Sequence, residues 1–108
     1  MMSFLVKPMS DEEAFDDLIR DLIPSYLCAE LENVALLEIA LSERNFALLI
    51  EGGDKMYGHG KTYGFSLIST LGKRIEVAAT QQDIYLLASL LSALKSYLEE
   101  NVKKFDLE

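Results

Sequence analysis

Cysteine, histidine, proline and tryptophan are all scarce in this chain, and each scarcity removes a class of explanation. The one cysteine, Cys28, excludes an intrachain disulfide and with it a small disulfide-stapled secreted scaffold. His59 is the only histidine, so Cys28 is its only soft companion and a structural zinc set cannot be assembled. Basic residues are also in deficit, 10 against 18 acidic ones, for a formal net charge of −8. A field of that sign repels nucleic-acid phosphates and anionic lipid, so neither nucleic acid nor membrane is an expected partner. No apolar run approaches the roughly 18 residues of a spanning helix, and Met1–Pro8 is too short in its apolar part for a signal peptide. A cytoplasmic protein is the expectation.

What is present is ample apolar material. Half of the 108 residues are hydrophobic, enough for one core and one domain spanning 1–108. Ser10-Asp11-Glu12-Glu13 has the form of a capping box, and three acidic residues suit the positive pole of a helix. Phe15, Leu18, Ile19, Leu22 and Ile23 follow at helical spacing. Pro24 is expected to interrupt that helix and to open a short second one reaching about Leu31. The acidic residues Asp11 to Asp21 read as a solvated face, with Arg20 pairing to Asp16, and Cys28 reads as a small core residue.

From Asn33 to Glu51 the polar residues scatter around a helical wheel, and Ser42-Glu43-Arg44-Asn45 has turn composition. Two strands, 34–41 and 46–51, are therefore expected. Residues 62–70 alternate, with Tyr63, Phe65 and Leu67 large and apolar, and 74–80 alternate through Ile75, Val77 and Ala79. Period two with such residues predicts strands, with a tight turn at Leu71-Gly72. Ile84, Leu87, Leu91, Leu94, Leu98 and Val102 then mark a long final helix, capped from Thr80–Asp83 and ending near Lys103 and Lys104. The expected fold is α+β: a single two-layer domain with an N-terminal helix, a four-stranded mainly antiparallel sheet and a long C-terminal helix. In outline, this layered pattern with its acidic balance and closing helix is similar to small assembly chaperones such as the proteasome-assembly chaperones, a likeness that no motif carries.

Residues 52–62 are the one stretch that invites chemistry. Gly60-Lys61-Thr62 resembles the close of a Walker A motif, which would imply a phosphate cradle, but Lys55 stands where that motif requires glycine. Read as a loop, Gly53, Lys55, Gly58, His59, Gly60, Lys61 and Thr62 form a candidate anion site of backbone amides and positive charge. The plainer reading is a flexible hairpin connector. No nucleophile–base pair or metal set is evident, so neither an enzyme nor a cofactor is expected. On the last helix, Tyr85, Leu86, Leu90 and Tyr97 add apolar surface, and Ser89, Ser92 and Ser96 form a small-residue strip. Small side chains let a second backbone approach, so Tyr85, Ser89, Ser92 and Ser96 are the candidate interface. The expected function is a non-enzymatic protein-interaction or assembly module, a homo-oligomer or a partner of another protein. The alternative is a regulatory domain that binds a phosphate-bearing small molecule at residues 52–62.

Overall fold

The computed structural model describes residues 11–106, and these form four α-helices with no strand among them: α1 (Asp11–Ser42), α2 (Phe46–Gly60), α3 (Ser66–Thr80) and α4 (Ile84–Asp106). The α+β expectation is overturned, and the likeness to layered assembly chaperones goes with the sheet. Ser10 and its capping box lie outside the described residues. The final helix stands as expected, with Leu87, Leu91, Leu94 and Leu98 all buried.

Each departure from expectation has a physical reason. Val34, Leu37 and Ala40 are buried while Leu36 and Ile39 are exposed, so this part of α1 carries two apolar stripes. A helix with two such stripes has no broad polar face, and its polar residues scatter. In 65–79 the buried residues include Phe65, Ile68, Leu71, Ile75, Ala78 and Ala79, spaced mainly by three and four, whereas Leu67 and Val77 point to solvent. Alternation over nine residues is a coincidence inside a helical pattern of fifteen. Gly72 sits within α3, not in a turn. Pro24 lies inside α1 without ending it; the missing hydrogen bond falls on an exposed stretch, where water can satisfy the carbonyl of Arg20. Arg20 pairs with Asp17 at 3.2 Å, not with Asp16, and Cys28 is exposed, not in the core.

Two of the three connections use one device. Arg44 and Gln82 take φ values of 59° and 56°, and the next residue, Asn45 or Asp83, caps the following helix. Asn45 Oδ1 accepts from the Leu48 amide at 3.2 Å, and Asp83 Oδ1 accepts from the Leu86 amide at 3.1 Å. The α2–α3 connection turns instead at Gly64, with φ of 87°.

The helices contact one another in a ring: α1 with α2, α2 with α3, α3 with α4, and α4 with α1. The α2–α3 side is the most extensive and the α1–α2 side the least. Glycine explains the first. A Cβ on Gly53 would stand 2.6 Å from the Gly72 carbonyl oxygen, and one on Gly72 would stand 2.7 Å from the Tyr57 amide nitrogen. Two backbones therefore touch where the sequence suggests a mobile connector. Four glycines in fifteen residues oppose helix formation by about 1 kcal/mol each, so α2 is held by packing and not by propensity. Gly58 has no such neighbour and is exposed. Gly58→Ala is expected to raise stability by about 0.5–1 kcal/mol in urea unfolding; a decrease would show that this position is not helical.

The outline is long and thin. Extents are 65 × 27 × 16 Å and the radius of gyration is 17.3 Å, against about 13 Å for a compact domain of similar length. Helix α1 accounts for this: its 32 residues span about 48 Å, yet its first buried residue is Tyr26.

Candidate functional site

The weakly closed α1–α2 side of the ring is a groove of about 420 Å³. Its apolar lining comes from Leu36, Leu37, Ile39, Leu48 and Met56. Three of these stay well exposed: Leu36 at 57%, Ile39 at 54% and Leu48 at 41%. Polar groups frame it, with Asn33 from α1, Glu43 from the turn after it, and Glu51, Lys55 and His59 from α2. Lys55 and Glu51 pair across one turn at 3.1 Å.

At one end of the groove sits a buried carboxylate. Glu30 is only 6% exposed. Its Oε1 accepts from Asn33 Nδ2 at 3.1 Å, while its Oε2 is buried with no partner. Burial raises the Glu30 carboxyl above the ordinary carboxylate range, opposed by the Asn33 hydrogen bond and by the charge of His59. The Tyr26 hydroxyl is the second buried orphan. Burial, and after it the Glu30 charge, raises the Tyr26 phenol and keeps it protonated. The Tyr26 ring stacks on Tyr63 at 4.0 Å and 6°, and Phe65 bridges from that stack to Tyr97. This aromatic block ties α1 and α4 to the α2–α3 turn beneath the carboxylate.

The seven residues that the sequence offers as an anion site lie on α2 and the turn after it. Gly53 and Gly60 are buried in the α2–α3 contact; Lys55, Gly58, His59, Lys61 and Thr62 are exposed. Lys55 and His59 share the groove face, one turn apart, and the rest do not line the groove. Helical hydrogen bonding occupies the backbone amides from Gly53 to Gly60, and the Lys61 amide donates to Ser69 Oγ at 2.9 Å. Gly60-Lys61-Thr62 closes α2 at its C-terminal, negative pole, the opposite of the helix start on which a Walker A phosphate rests. Any anion contact made by the α2 residues would therefore rest on side chains.

On α4, Tyr85 is 87% exposed and Ser89, Ser92 and Ser96 face outward, whereas Leu90 is buried and Tyr97 half-buried against the aromatic block. Among the described residues, no cluster of His, Cys, Asp and Glu could hold a metal ion, and no helix is long and apolar enough to cross a membrane. Leu36, Ile39, Leu48 and Glu30 do not emerge as site residues from sequence. For Leu36 and Ile39 the signal is a second period of three and four along α1, which a strand reading hides; Leu48, on α2, and Glu30, on the buried stripe of α1, carry no such signal. Comparison with protein-family models, with curated proteins and with solved structures finds no match to this chain.

Proposed function

We propose that this chain is a non-enzymatic protein-interaction module that receives an amphipathic helix in the α1–α2 groove. One observation carries the reading. Leu36, Ile39 and Leu48 are large, apolar and exposed, and they line one concavity between two helices instead of lying scattered over the surface. Such a groove, framed by charged side chains, is the receptor half of helix-in-groove recognition, where anchors three and four residues apart fill it.

The test uses Nile red, an uncharged dye that brightens on apolar surface, with dilute protein. Leu48→Glu is expected to lose most of the dye signal with helicity unchanged, while Tyr85→Glu on α4 keeps it. Equal signals from both variants would mean the groove is not the apolar docking surface.

A second reading, a phosphate-bearing small ligand, is favoured only by Lys55 and His59 lying one turn apart on the groove face. Phosphate that shifts the amide signals of residues 52–62 would support it. Unmoved signals at millimolar phosphate would end it.

A further inference from the structure

The occupant of the groove can be identified from the register of α1. Its uncovered face repeats at alternating intervals of three and four: Phe15, Leu18, Leu22, Ser25, Ala29, Glu32, Leu36 and Ile39. All eight are exposed, with Phe15 at 53%, Leu18 at 56% and Leu22 at 42%. This is the spacing of a helix–helix seam, and it runs almost the full length of α1. The series is also symmetric about Leu27. Laid antiparallel on a copy of itself, Phe15 meets Ile39, Leu18 meets Leu36, Leu22 meets Glu32, and Ser25 meets Ala29. The small residues thus fall at the centre, where two helices must come closest.

We propose that a second copy of this chain fills the groove: two α1 helices pair antiparallel about a two-fold axis beside residue 27, and the Phe15–Leu22 stretch of each docks on the Leu36, Ile39 and Leu48 surface of the other. The inference rests on the groove being a docking surface. Three further observations select a second copy in this orientation.

The first is charge. Asp11, Glu12, Glu13, Asp16, Asp17 and Asp21 crowd the first half of α1. A parallel pair would set these carboxylates side by side, place Glu32 against its own copy and align the two helix dipoles. The antiparallel pair separates the acidic halves, gives Glu32 an apolar neighbour and opposes the dipoles. At the two ends of the seam the same register brings Asp11 near Glu43, its one close approach of like charges, whereas at the flanking positions Asp21 falls near Ala35 and Glu12 near Ala40.

The second is area. The exposed parts of Phe15, Leu18, Leu22, Leu36, Ile39 and Leu48 amount to roughly 600 Å² on each copy, before Ser25, Ala29 and Glu32 are added. A stable interface of standard size takes about 800 Å² per partner. A closed two-fold contact of that size uses the same patch on both copies, as this one does.

The third is shape. Residues 11–25 contain no buried residue, although α1 is helical from Asp11. An amphipathic helix is ordinarily stabilised by burying its apolar face, and among the described residues this half is partly buried at Asp17, Ile19 and Ile23, of which Ile23 packs against the core. A partner helix supplies the missing cover.

Sedimentation equilibrium over a wide concentration range, with cysteine crosslinking, tests this. The wild-type chain is expected at twice the monomer mass. Leu18→Glu and Leu36→Glu sit at opposite ends of one contact, and each is expected to raise the dissociation constant at least ~30-fold. Both positions are exposed within one copy, so circular dichroism should show the helical fold retained, with no loss of helicity larger than residues 11–25 account for once the partner's cover is gone. In a Cys28→Ser background, a mixture of Phe15→Cys and Ile39→Cys chains should crosslink to each other, and neither should crosslink efficiently to itself. A dimer that survives both glutamate variants, or one in which Phe15→Cys crosslinks best to its own copy, overturns the arrangement. A wild-type monomer at every concentration overturns it as well, the face then being covered by residues 1–10, by another protein or by nothing. In that case, Nile red binding abolished by Leu48→Glu would leave the groove itself standing as a docking surface.

Discussion

Gly72→Ala should destabilise the protein by about 1–2 kcal/mol, and Gly53→Ala by a similar amount, in urea unfolding. The new methyl group meets backbone, not a flexible side chain: the Gly53 carbonyl oxygen and the Tyr57 amide nitrogen both lie 2.7 Å from the added Cβ of residue 72. Relief requires α2 and α3 to separate, which loosens the most extensive helix pairing in the molecule. Overpacking of this kind costs about 1–3 kcal/mol, and the ~1 kcal/mol that alanine gains in helix propensity is too small to offset two helices moving apart along their length. Gly53 is the discriminating position. In a flexible connector, alanine there would be nearly neutral; in the helix pair it should be as damaging as at Gly72. Gly58, on the same helix but facing solvent, should respond with the opposite sign.

Glu30→Gln should stabilise the protein at pH 7 by about 1–2 kcal/mol. An unpartnered buried polar atom costs about 1–3 kcal/mol, more when charged, and Glu30 Oε2 is such an atom. Glutamine keeps the shape and can still accept from Asn33 Nδ2; its amide nitrogen takes the unpartnered position of Oε2, so the gain comes from removing the buried charge. The sign of the pH dependence follows from the raised carboxyl. The folded state holds the Glu30 proton to higher pH than the unfolded chain does. Below the ordinary glutamate value near ~4.3 both states are protonated and Glu30 carries no charge penalty. As pH rises past that value the unfolded chain ionises first, and the folded state loses stability until its own carboxyl has titrated. The advantage of Glu30→Gln should therefore be largest at neutral pH and shrink towards pH ~4. Melting curves of both proteins across that range measure it. A glutamine variant less stable than wild type at pH 7 would mean that the carboxylate has a favourable partner.

Helix α4 is legible in the sequence because its leucines follow a single period and bury a single face. The turn at Ser42–Asn45 is legible from composition, and Asn45 does cap the next helix. The expectation of a sheet has two physical sources. In α1, Leu36 and Ile39 belong to a stripe that nothing among the described residues covers, and adding them to the buried Val34, Leu37 and Ala40 erases the polar face that marks a surface helix. In α2 and α3, glycine has the composition of loop and turn, although Gly53 and Gly60 are seven residues apart, the spacing of one helix face. Their role depends on α3, and a contact between two segments is not visible in either one alone. The candidate site follows the same pattern. Lys55 and His59 stand out by charge and do frame the groove, but the apolar residues that give the groove its character look like a sheet interior.

The uncovered face of α1 is the feature on which the functional reading turns, and backbone amide hydrogen exchange at rising protein concentration tests it most directly. Residues 15–22 and the Leu36–Leu48 wall of the groove are expected to gain protection together as concentration rises, while Tyr85–Ser96 on α4 stays unchanged. Protection that is independent of concentration, or that grows on α4 instead, would contradict it.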